Sequence, residues 1–69
     1  MTLDEAFELR EGDTLSDEWR DSRLLVLGPP YADFGSGHVH SQWRLPVLNL
    51  ESGKQEYWPN GRFEELTRC

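Results

Sequence analysis

The sequence contains no isoleucine, one lysine and one cysteine, and its longest apolar run is the four residues Leu24, Leu25, Val26 and Leu27. A run that short excludes a membrane-spanning helix, and it excludes the apolar stretch of a secretory leader. The lone Cys69 has no partner for an internal disulfide and supplies no zinc framework. A cytoplasmic location is therefore expected. Basic residues are scarce too: thirteen Asp and Glu stand against seven Lys and Arg, a net charge of −6. Asp4, Glu5, Glu8, Glu11, Asp13, Asp17, Glu18 and Asp21 face only Arg10 and Arg20, so eight acids less two bases put −6 on residues 1–21, while the remainder balances at five against five. Phosphate is bound by Lys and Arg that displace its counter-ions. A chain without a basic stripe is expected to bind neither nucleic acid nor an anionic membrane directly. The acidic front has two readings: a solvated face that keeps a small protein soluble, or a surface that meets a basic partner.

What is present points to a single domain over residues 1–69, with a helical acidic arm at 1–12 and a β-barrel at 13–69. Thr2 with Glu5 three residues on is a capping-box pattern, and it predicts a helix over about residues 3–10 with Leu3, Ala6 and Phe7 on one face and a stop at Gly12. Residues 14–20 read as an edge strand or irregular arm. Arg23 to Leu27, closed by Gly28-Pro29-Pro30, reads as a strand covered on both faces. Pro29 to Gly37 reads as a long hairpin loop carrying Tyr31 and Phe34. Val39 to Leu50 reads as a long strand whose apolar phase changes at Pro46, the signature of a bulge that exchanges its two faces. A two-residue turn at Ser52-Gly53 would pair Leu48 with Tyr57 and Val47 with Trp58. On that register Leu48, Leu50 and Tyr57 form the core face, and Trp58 lies near the surface. Trp19, Trp43 and Phe63 are expected in the core. After Pro59-Asn60-Gly61, residues 63–66 suit one helical turn.

The expected fold is thus mainly β with a short N-terminal helix: a small, strongly bent antiparallel sheet of four to five strands. The order of elements over residues 12–69, with the tract Val47-Leu48-Asn49-Leu50-Glu51-Ser52-Gly53-Lys54, resembles an SH3-like small β-barrel. That resemblance implies a domain that binds proteins, peptides or nucleic acids rather than an enzyme. In size and charge the chain is also similar to phage-encoded accessory proteins that block host enzymes or defence systems.

Candidate chemistry is sparse. His38 and His40 are spaced to share a metal on one strand face, but two ligands fall short of the three or four that zinc uses. Ser36 and Ser41 lie beside them without a nucleophile elbow, and Gly35-Ser36-Gly37 lacks the strand-to-helix setting of a phosphate loop. No cofactor is implied. The reading is a non-enzymatic module, an inhibitor or adaptor that covers a basic surface of a larger protein and mimics nucleic acid where that surface holds it. The residues expected at the interface are Asp4, Glu5, Glu8, Glu11, Asp13, Asp17, Glu18, Tyr31, Phe34, Trp58 and Arg62. The alternative is a binder of a nucleotide-like ligand, clamped by aromatics and Arg44 or Arg62 at a dimer interface. A homodimer is expected in either case, because a core of this size rarely supplies more than about 3–5 kcal/mol.

Overall fold

The first ordered structure is set by Thr2. Its Oγ1 accepts from the Glu5 backbone N–H at 3.2 Å, and the Glu5 carboxylate accepts from the Thr2 N–H at 3.0 Å, so the expected capping box is present. The helix it opens, α1 (Leu3–Phe7), stops short of the expected length. Asp13 is the reason: its carboxylate accepts from the Arg10 N–H at 2.9 Å and, with Gly12 at φ 97°, turns the chain out of the helix. Ala6 and Leu9 are buried, whereas Phe7 is 45% exposed and rests edge-on against the Trp43 ring, with centroids 4.9 Å apart.

This geometry comes from a computed structural model that describes residues 1–33 and 43–69. The strands are β1 (Thr14–Asp17), β2 (Ser22–Val26), β3 (Tyr31–Ala32), β4 (Trp43–Asn49), β5 (Gln55–Pro59) and β6 (Leu66–Arg68), with a 3-10 helix at Asn60–Glu65 before β6. They form one antiparallel sheet in the order β3-β4-β2-β1-β6, with β5 also on β4, and it curls strongly into a half-barrel. The expected class, mainly β with a short N-terminal helix, is what the chain adopts.

Several expectations for individual strands need correcting. β1 is interior, paired with β2 on one side and with β6 on the other. β6 takes the place where only a helical turn was expected to close the chain. β2 is covered on one face alone: Ser22, Leu24 and Val26 are buried, while Arg23 is exposed and Leu25 half-buried. β4 runs through Pro46 without exchanging faces. The irregularity lies on the opposite strand, where Val26 pairs with Val47 and Tyr31 with Arg44, so Leu27 to Pro30 stand against only Leu45 and Pro46. Pro46 is tolerated there because it need only accept, from the Leu27 N–H at 3.0 Å, opposite a segment that is already leaving the ladder.

The β4-β5 register is also shifted by two residues, pairing Leu45 with Trp58 and Leu48 with Gln55. Asn49 sets it. Its Oδ1 accepts from the Glu51 and Ser52 N–H groups at 2.9 and 3.1 Å, and its carbonyl accepts from Gly53 at 2.8 Å, which makes a four-residue loop of Leu50 to Gly53. A shift of two keeps the face partners as expected but not the side that is buried. Leu45, Val47 and Trp58 pack inward with Leu15, Leu24, Val26, Phe63 and Leu66, while Leu50 and Tyr57 are 46% and 54% exposed. Trp58 is 3% exposed and is core, and so is Phe63; Trp19, expected there, is 78% exposed.

Replacing Trp58 with Ala should therefore cost about 3–5 kcal/mol, comparable to all the stability that a domain of this size holds. Leu50→Ala should stay within about 0.5 kcal/mol. Urea unfolding followed by far-UV circular dichroism checks both, and equal effects would show that the buried face is misassigned.

Candidate functional site: the braced turn at Trp19

One end of the concave face is polar. Asp17 on β1, Ser22 on β2 and Asn49 on β4 are all buried, and Glu56 on β5 is half-buried among them. Arg20, in the turn between β1 and β2, reaches into this group. Its Nε donates to Asp17 at 2.7 Å and its Nη2 to Glu56 at 2.8 Å, which joins β1 to β5 across the two strands between them. Glu56 also accepts from the Trp58 indole N–H at 2.9 Å and from the Asn49 side-chain amide at 3.2 Å. The Trp58 ring has two guanidiniums against it, Arg62 at 4.5 Å and Arg20 at 5.7 Å from its centroid, and Arg62 in turn bonds Glu65 at 2.8 Å. Among the described residues no buried side-chain polar atom lacks a partner.

Burial alone would raise the pKa of Asp17, but the hydrogen bonds from the Arg20 side chain and from the Trp19 and Arg20 backbone outweigh it and hold the carboxyl below its ordinary range. Glu56 behaves alike: burial opposes ionisation, and the bonds from Arg20, Trp58 and Asn49 prevail. The same two carboxylates raise the pKa of Arg20. All three groups are therefore charged at neutral pH, and the carboxylates act as acceptors whose donors are already in place.

The network fixes the turn above it. The Trp19 N–H donates to Asp17 at 3.1 Å, the Ser22 hydroxyl to the Arg20 carbonyl at 3.4 Å, and the Thr67 hydroxyl to the Glu18 carboxylate. Asp21 takes the left-handed conformation at φ 52°, which the closing turn requires. The Trp19 side chain has no such tie, and it stands out with Glu18 and Asp21, both exposed, on either side. Sequence reasoning placed Trp19 in the core and passed over Arg20. The available signal was Asp17 three residues before Arg20, with a tryptophan between them and Asp21-Ser22 after.

The residues expected to form an acidic front do not share one role. Asp4 and Glu11 are exposed, Glu5 caps α1, and Asp13 holds the turn after it. Glu8 pairs with Arg68 at 3.5 Å, and Asp17 lies inside. Tyr31, opposite Arg44 on β4, lies on the convex face, away from Trp58 and Arg62. Arg44 bonds Asp33 at 3.3 Å. Phe34, His38 and His40 lie outside the described residues. Among the described residues no three His, Cys, Asp or Glu gather to hold a metal, and no helix is long and apolar enough to cross a membrane. No family model matches the chain, and no curated protein or solved structure shows significant similarity to it.

Because both carboxylates have depressed pKa values in the folded state, they stabilise it fully above their unfolded values, and that stabilisation is lost as pH falls below about 4. The urea midpoint should drop between pH 6 and pH 3. Arg20→Met should lower the midpoint at pH 6 and flatten this dependence, whereas an unchanged slope would show that the network does not carry it.

Proposed function

We propose that this protein is a non-enzymatic binding module that docks on a larger protein through the Trp19 turn, as an inhibitor or adaptor covering a basic surface. The observation that carries this reading is Trp19 itself, 78% exposed in a turn where its backbone N–H and its two neighbours, Glu18 and Arg20, are held by hydrogen bonds. Exposing an indole to water is unfavourable, and tryptophan is among the residues that most often dominate interface energetics. A braced turn has already lost the freedom that a flexible loop would lose on binding. The acids on either side select the partner. Glu18 and Asp21 flank the indole, and the one cation of the turn, Arg20, is engaged by Asp17 and Glu56. The complementary surface is an apolar pocket with Lys or Arg at its rim, as on a protein that holds nucleic acid. The strand order, with a 3-10 helix leading into a last strand on β1, supports the SH3-like reading of the barrel, and the size and net charge of −6 suit a small accessory protein of the phage-encoded kind.

Immobilised protein and a Trp19→Ala variant should be compared for what each retains from the source cell, and the retained protein then titrated with both. Trp19→Ala should change stability by no more than about 0.5 kcal/mol and weaken binding by about 2 kcal/mol or more, some 30-fold. Glu18→Gln with Asp21→Asn should slow association and flatten its salt dependence, with little change in dissociation. A partner held equally by the native and Trp19→Ala proteins would overturn the assignment of the turn.

A further inference from the structure

The two borders of the sheet are unlike. β6 is three residues long, and its outward Leu66 carbonyl accepts from the Met1 ammonium at 3.1 Å, while Arg68 beside it pairs with Glu8. That border is closed by the chain's own first residues. β5 is five residues long and pairs with β4 alone. The Asn49 N–H bonds the Lys54 carbonyl at 2.9 Å, so by the alternation of antiparallel ladders Lys54, Glu56 and Trp58 turn their backbone groups toward β4. Gln55 and Tyr57 then turn theirs outward, and no described residue pairs with them. The usual guards of an edge strand, a lysine or a proline in mid-strand, are absent here: Lys54 precedes β5 and Pro59 ends it.

We propose that a second copy of this chain docks on the β5 edge, with the two β5 strands antiparallel about a two-fold axis at Tyr57. The register follows from charge. An axis at Glu56 would set Glu56 directly against its own copy, and like charges directly opposite are destabilising. An axis at Tyr57 sets Glu56 against Trp58 and Gln55 against Pro59 of the other copy. The two Tyr57 backbones exchange two hydrogen bonds, and each Gln55 N–H donates to the opposite Pro59 carbonyl; the return bond that proline cannot give falls at the outer end of the pairing, where water serves the Gln55 carbonyl. The two Tyr57 side chains meet on the convex face, where each is 54% exposed in the single chain. Identity of the partner follows from self-complementarity and from the placement of charge: β5 carries one charged residue, Glu56, which Arg20 shares with Asp17, whereas the −6 of residues 1–21 belongs to α1, β1 and their turns. Two acidic chains therefore meet along the border that carries least of their charge. The interface uses none of the Trp19 turn, so it stands or falls separately from the proposed partner binding.

Sedimentation velocity of the full chain between about 10 μM and 1 mM should show a monomer giving way to a dimer. Tyr57→Pro removes an N–H that no contact within the chain uses, and it should abolish the dimer while the circular dichroism spectrum is kept. If that variant fails to fold, Tyr57→Lys, which sets two ammonium groups face to face, should raise the dissociation constant at least tenfold. In a Cys69→Ser background, Tyr57→Cys should oxidise to a covalent dimer and Gln55→Cys should not. A monomer at 1 mM, a dimer unaffected by Tyr57→Lys, or a trapped Gln55→Cys pair would each overturn the proposal, the last by showing a different register.

Discussion

Arg20 carries a positive charge into the one end of the concave face where carboxylates have been withdrawn from water, and the shape of the domain depends on that meeting. Asp17 and Glu56 belong to strands with two others between them, so one guanidinium can reach both only if the sheet is curled. Removal of either partner of such a pair leaves a buried charge or donor unsatisfied, which costs more than the intact pair contributes. The apolar half of the concave face, from Leu15 to Phe63, supplies the larger share of the stabilisation and is indifferent to direction. The polar end supplies the direction. It determines where Trp58 stands, through the indole N–H, and how the turn above Asp17 is held, through the Trp19 N–H.

The helix cap, the central strands and the bend were legible because they depend on local chemistry: a threonine three residues before a glutamate, breakers around an apolar run, a proline within a strand. The buried side of β4 was not legible. Leu48 and Leu50 look more apolar than Asn49 and Glu56, and the polar pair is satisfied inside only by bonds the local pattern does not show: the loop N–H groups on Asn49, and Arg20, Trp58 and Asn49 on Glu56. The same bonds misled the reading of Trp58, whose strand neighbours suggested water. Pro46 did mark a fault, but the fault belongs to the partner strand, where Gly28-Pro29-Pro30 had been read only as a terminator. β6 was missed because Leu66-Thr67-Arg68 has no strand pattern of its own and is extended by its pairing with β1.

The candidate site shows the same dependence in a stronger form. A tryptophan in a 69-residue chain belongs in the core on composition alone, and Trp19 lies outside because Asp17 and Arg20, its neighbours at two residues and one, both turn inward. Strand alternation would carry Trp19 to the side of Asp17, but β1 ends at Asp17 and the turn brings Arg20 inward in its place. Exposure of Trp19 is thus a geometric consequence of satisfying a buried carboxylate.

The pairing of β1 with β6 bears on how the chain is made. Leu15 lies beside Arg68 in the finished sheet. The hairpins β1-β2 and β4-β5 can form from neighbouring residues, but β1 gains its second neighbour only when nearly the whole sequence is available, and non-local pairings of this kind place small β domains among the slower folders. Until Leu66 to Arg68 are paired, Thr14 to Asp17 present an open strand edge. The charge of −6 on residues 1–21 surrounds that edge, and like charge opposes its pairing with the same segment of another chain.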